Sequence, residues 1–154
     1  MTQPLASLPD EPPRIVLDTN VVLDWLYFRD PRSAALAAAI TAGRVRWIAS
    51  AAMRDEIERV LARDSLGTKW PDGAASVRGG WQRWAATVDV EPPPSPAALR
   101  CSDGDDQKFI DLALDSGAQA LLSADRAVLD LARPAGELGL AITTVERWRP
   151  APQT

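Results

Sequence analysis

Asp18 directly follows the apolar run Ile15-Val16-Leu17, and Asp125 lies just beyond a second such run, Ala120-Leu121-Leu122, across Ser123 and Ala124. Glu56 falls in the first turns of the segment after a third run, Val45-Arg46-Trp47-Ile48-Ala49, and Asp103, Asp105 and Asp106 cluster ahead of the second. Short branched apolar runs of this kind read as strands buried on both faces. Acids at their carboxyl ends would then meet along one edge of a sheet. Carboxylates gathered in a pocket of low polarity repel and raise one another's pKa unless a cation neutralises them. Oxygen-only ligands favour Mg²⁺ or Mn²⁺ over zinc. One or two such ions can activate water, polarise a phosphoryl group and stabilise a leaving oxygen, so phosphodiester hydrolysis needs little else. The rest of the composition narrows the choice the same way. The 154 residues include no histidine and one cysteine. That excludes Ser/His/Asp and Cys/His triads and H-E-x-x-H zinc sites. A lone Cys101 closes no intramolecular disulfide and builds no thiolate zinc site, which fits a reducing compartment; cytoplasmic localisation is expected.

The elements that must position these acids alternate strand and helix. After the strand at 15–17, a helical stretch runs to Phe28 and breaks at Asp30-Pro31; Ser33 is placed to cap the alanine-rich run to Ala42, which Gly43 ends. The strand at 45–49 leads through Ser50, a second cap, into a helix with Met53, Ile57, Val60 and Leu61 on one face. Residues 64–80, with scattered Gly, Pro71 and Ser, read as irregular, followed by a helix bearing Trp81 and Trp84 and a strand at 87–90. Prolines 92, 93, 94 and 96 mark a surface loop. A helix over 105–116, a strand at 120–122, a short helix at 126–132 and a strand near 140–143 complete the chain. Five short apolar strands separated by helices predict an α/β fold with a parallel sheet covered on both faces.

Length argues for one domain. Residues 1–13 and 149–154 are proline-rich and polar and are expected to be a flexible leader and tail around a domain spanning 14–148. No apolar stretch approaches the ~20 residues of a membrane span, so no membrane association is expected. A formal charge of −4 argues against nucleic-acid binding through a bulk positive field. A local basic rim is compatible with it: Arg29, Arg32, Arg44, Arg46, Arg54 and Arg126 lie near segments expected to border the acidic pocket. Trp25, on the helix after Asp18, is a candidate base-stacking residue; core packing is the ordinary use of tryptophan.

Four ordered segments carry a resemblance: Ile15-Val16-Leu17-Asp18-Thr19-Asn20, Asp55-Glu56-Ile57-Glu58-Arg59-Val60-Leu61, Asp103-Gly104-Asp105-Asp106-Gln107-Lys108-Phe109 and Leu122-Ser123-Ala124-Asp125-Arg126. Together they resemble the motifs of PIN domains, closest to those that serve as toxin components of toxin–antitoxin pairs, over roughly residues 14–144. The resemblance implies a three-layer α/β/α sandwich with a central parallel sheet of about five strands. It also implies a Mg²⁺- or Mn²⁺-dependent endoribonuclease using one or two ions, an RNA substrate, an antitoxin partner and, in many relatives, a homodimer. By position it makes Asp18, Glu56, Asp106 and Asp125 the catalytic, metal-binding acids. Glu56 is preferred to Glu58 by the apolar residues that follow it, and Asp106 to Asp105 by Ala113 seven residues on. Asn20, Ser123 and Asp103 would support these acids through hydrogen bonds. Ser123 and Ala124 depart from the commoner threonine and glycine or asparagine without removing a ligand.

Taken singly, each acid is also an ordinary helix cap or solvated residue. Two other functions share the sheet: a catalytically silent module of the same shape that binds RNA or protein, and a small metal-dependent phosphatase. A phosphatase of the haloacid-dehalogenase type would need an Asp where Asn20 stands. A calcium loop at 103–106 lacks the later Gly and Glu at the needed spacing.

Overall fold

The computed structural model describes residues 11–63 and 66–150. Its centre is a five-stranded, all-parallel sheet in the order β3-β2-β1-β4-β5. The strands are β1 (Arg14–Leu17), β2 (Arg46–Ser50), β3 (Ala85–Val88), β4 (Ala120–Leu122) and β5 (Ala141–Thr143). Ile15, Val16, Leu17, Leu121 and Leu122 are all buried, as strands covered on both faces require.

The helices are α1 (Thr19–Leu26), α2 (Ala34–Thr41), α3 (Ala51–Arg63), α4 (Leu66–Lys69), α5 (Pro71–Trp84), α6 (Gln107–Asp115), α7 (Arg126–Leu129) and α8 (Ala132–Glu137). From β1 the chain steps outward to β2 and β3, then returns across the sheet to β4 and β5. Right-handed crossovers therefore place α1 to α5 on one face and α6 to α8 on the other. Packing agrees: α1 lies against α3 and α5, α6 covers β1 and β4, and α8 covers β5. This is a three-layer α/β/α sandwich. The direction reverses between β1 and β4, which opens a crevice beyond their carboxyl ends.

Several local expectations change. Residues 71–80 are helical, because α5 starts with Pro71 in its first turn, where no N–H donor is needed. Its glycines serve close packing against α1: a Cβ on Gly73 would sit 2.8 Å from the Tyr27 ring, and one on Gly80 would sit 2.6 Å from Leu26. The strand expected at 87–90 is displaced two residues toward the amino end by pairing with β2, where Trp47 is opposite Ala85 and Ser50 opposite Val88. Val90 is left 82% exposed. Ser33 makes no cap hydrogen bond. Asp30 instead accepts from the Arg32 amide at 2.9 Å and caps a short 3₁₀ turn, Pro31–Ser33, that runs directly into α2. The single helix expected at 126–132 is two, α7 and α8, with Ala135 of the second buried beneath it.

Trp25, Trp47 and Trp81 form an edge-to-face series with ring centroids 5.7 and 4.8 Å apart. Trp25 thus packs on the core rather than standing free for stacking. The leader expected at 1–13 lies outside the described residues through position 10. Of the rest, Glu11 pairs with Arg14 at 2.9 Å, and the Pro13 carbonyl accepts from the Arg46 amide at 2.8 Å. Positions 151–154 of the expected tail are likewise outside the described residues. No helix among the described residues is long and apolar enough to cross a membrane.

Candidate active site

Main-chain pairing brings the two central strand ends together: the Asp18 amide donates to the Leu122 carbonyl at 3.1 Å. Asp18 is only 4% exposed. Its Oδ1 accepts from the Val21 amide at 2.9 Å, capping α1, and its Oδ2 accepts from the Ser123 hydroxyl. Burial holds the Asp18 carboxyl above the ordinary carboxylate range, against the pull of these two hydrogen bonds. Ser123 is fully buried, and its Oγ also accepts from the Asp125 amide at 3.0 Å. One hydroxyl therefore sets Asp18 and Asp125 relative to each other. Asp125 in turn caps α7, its Oδ1 accepting from the Ala127 amide at 2.9 Å.

Asp106 comes from the other face of the sheet, at the entry to α6. Its Oδ2 is buried with no hydrogen-bond partner among the described residues. Burial first, then the neighbouring carboxyl of Asp125, then the charges of Asp103 and Asp18 push its pKa up to about 7. Asp103, Asp106 and Asp125 each offer one carboxylate oxygen within 4.8 Å of the other two. Asp103 is exposed, and its Oδ1 accepts from the Asp105 amide at 3.0 Å.

Glu56, one and a half turns into α3, is held from two sides. Thr19 Oγ1 donates to its Oε2, and Lys108 Nζ lies 2.7 Å from its Oε1. The same ammonium also donates to the Asp105 carbonyl. Asp18, Thr19, Asn20, Glu56, Val60, Asp106, Phe109 and Asp125 line one cleft of about 160 Å³. The four acids singled out in the sequence thus share a wall. Asn20 lines the cleft without hydrogen-bonding any of them, and Asp105 lies outside it. Thr19 and Lys108 were not singled out, although both stand inside the quoted motifs. Lys108 is one of only two lysines against fifteen arginines, a choice of side chain that could have marked it.

The basic rim is built differently from the expected one. Arg46 begins β2 and pairs with Glu11 at 3.6 Å on the amino edge of the sheet, away from the acids. Arg44 precedes it on the same edge. Arg32 pairs with Asp30 at 2.6 Å, and Arg126 lies 3.5 Å from Asp130. Arg54 lines a separate groove of about 460 Å³ between α3, α5 and β3, where the one acid, Glu58, is paired with Arg78 at 2.9 Å.

The donor set fits a hard divalent cation. Every group is a carboxylate, three converge within 4.8 Å, and Asp106 presents a buried oxygen without a hydrogen-bond partner among the described residues. Residues 14–127, a span containing all four acids, match a family model described as PIN domain. No curated protein and no solved structure matches the chain.

Proposed function

The chain belongs to the PIN domain family, whose domains are generally nucleases acting on RNA with divalent metal ions, and from that premise we propose that it is a Mg²⁺- or Mn²⁺-dependent endoribonuclease. The observation that carries the reading is the convergence of Asp18, Glu56, Asp106 and Asp125 on one cleft in which a buried Asp106 oxygen has no partner among the described residues. Asp18, Asp106 and Asp125 would hold the ion, with Asp103 within reach and Glu56 lining the same cleft. When bound, one or two ions supply water activation and charge neutralisation at the phosphoryl group.

The remaining work belongs to the protein. Ser123 locks the Asp18 carboxylate by donating to one oxygen while the Val21 amide engages the other, so this acid needs little reorganisation. Thr19 and Lys108 hold both Glu56 oxygens in place, and Lys108 offsets its charge. With its pKa pushed up to about 7, Asp106 is only partly ionised near neutral pH, and its carboxylate form would be favoured with a cation bound. Val60 and Phe109 give the cleft an apolar side.

The finer reading is that the enzyme is the toxin of a toxin–antitoxin pair, acting in the cytoplasm, with an antitoxin protein as partner and a homodimer as its assembly. The motif resemblance supports this reading. Cleavage of a labelled RNA panel with Mg²⁺ or Mn²⁺ tests the enzyme: Asp18→Asn is expected to abolish it, and activity surviving that substitution would remove the site assignment. Hydrolysis of a phosphomonoester without RNA cleavage would favour the phosphatase instead. Induced expression is expected to arrest growth, with Asp125→Asn relieving the arrest.

A further inference from the structure

A second pocket, of about 290 Å³, adjoins the acidic cleft and shares Glu56 and Val60 with it; its other lining residues are Arg59, Arg63, Asp105 and Lys108. Three cations therefore stand immediately beside the carboxylates. Arg59 and Arg63 are four residues apart on α3, so they lie on one helix face and bring their charge to the same pocket. Arg59 is exposed and makes no hydrogen bond or ion pair among the described residues. Lys108 sits at the junction, 2.7 Å from Glu56, with its side chain 22% exposed. The lining holds no aromatic ring on which a base could stack. Guanidinium groups in a polar pocket suit a phosphate instead, which they grip in bidentate fashion.

We propose that Arg59, Arg63 and Lys108 form a phosphate subsite that holds the RNA backbone at a linkage flanking the one being cleaved. The proposal rests on reading the acidic cleft as the ribonuclease centre and adds what that cleft lacks. A pocket of four acids repels a polyanion, so an adjacent grip must offset that repulsion and set the register of the strand. Binding a phosphate that does not react also aligns the one that does. RNA long enough to reach the subsite should therefore be cleaved much more efficiently than a dinucleotide.

The test is fluorescence anisotropy with a labelled 2′-O-methyl oligouridine, which cannot be cleaved, titrated in Mg²⁺ buffer over a range of salt. Neutralising one phosphate contact to single-stranded nucleic acid changes the slope of log K against log salt by about 0.7, roughly fivefold in affinity near 0.1 M salt. Arg59→Gln and Arg63→Gln are each expected to weaken binding by that amount and flatten the slope, whereas Arg59→Lys keeps it. Arg44→Gln, on the opposite edge of the sheet, serves as control. With unmodified RNA, Arg59→Gln should lower kcat/KM, because both the grip and the alignment it gives are lost. Undetectable wild-type binding, unchanged binding by both variants, or an equal loss in Arg44→Gln would overturn the subsite. Wild-type cleavage of unmodified RNA is scored separately, so failure of the nuclease reading is seen as lost cleavage with the binding pattern intact.

Discussion

Replacing Asp106 with asparagine should stabilise the protein above neutral pH while destroying its chemistry. Asp106 has a folded-state pKa of about 7 against an ordinary 3.8, so folding favours its protonated form. The stability linked to this group is fully present below about pH 4 and is lost as the pH rises through about 7. At 1.36 kcal/mol per pK unit the whole shift corresponds to roughly 4 kcal/mol. Asp106 is half-buried, and solvent screening brings that to about 1–2 kcal/mol. Asparagine carries no charge at any pH and can donate to Asp125. For a chain of this size the gain corresponds to a Tm rise of about 3–6 °C at pH 8, with roughly a third of it at pH 5. Thermal melts followed by circular dichroism in EDTA measure this directly. Mg²⁺ should raise the wild-type Tm at pH 8 and have little effect on the variant, because it neutralises the charge that the substitution has already removed. If Asp106→Asn gains nothing at pH 8, or gains equally at both pH values, burial and the neighbouring carboxylates are not what set Asp106.

Ser123→Ala removes the donor to Asp18 Oδ2 and the acceptor of the Asp125 amide; a loss of about 2–3 kcal/mol is expected, and an unchanged melting curve would contradict that role. The two neighbouring glycines of α5 should respond oppositely. Gly79→Ala meets nothing within 4 Å and should gain up to about 1 kcal/mol of helix propensity. Gly80→Ala drives a methyl to 2.6 Å from Leu26 and should lose about 1–2 kcal/mol in urea unfolding. Glu56→Gln should lower RNA cleavage at least about 100-fold, whereas Glu58→Gln, whose carboxylate pairs with Arg78 on the flank of a different groove, should cleave normally; equal rates for the two would put the wrong glutamate in the cleft.

What could be read in advance divides along physical lines. Strand-end acids were legible because a parallel sheet buried on both faces makes apolar runs continuous, so the first charge after each run marks the edge where ligands bind. Asp18 and Asp125 stand out in that way. Their separation of more than a hundred residues was no obstacle, since topology rather than proximity in sequence joins β1 and β4. The partners of those acids were less legible. Lys108 reaches Glu56 from the opposite face of the sheet, and Thr19 does so across two helices, contacts that no local pattern encodes. The basic rim failed for a related reason: Arg44 and Arg46 are near β2 in sequence but sit at its amino end, a full strand length from the site. The extent of α5 was hidden because Gly73 and Gly80, read as breakers, are sites of close helix contact whose meaning depends on Tyr27 and Leu26.

The Ser123 hydroxyl that fastens Asp18 spans 105 residues of chain. During synthesis, β1, α3 and most of the acidic cleft leave the ribosome well before β4. Until β4 pairs with β1, Asp18 has neither its hydroxyl donor nor its carbonyl partner, and Asp125 has not been made. A nascent chain that already exposes Asp18, Glu56 and Asp106 is therefore expected to be inert toward the messenger that encodes it. The topology thus defers completion of the acidic cleft until nearly the whole sheet has been translated.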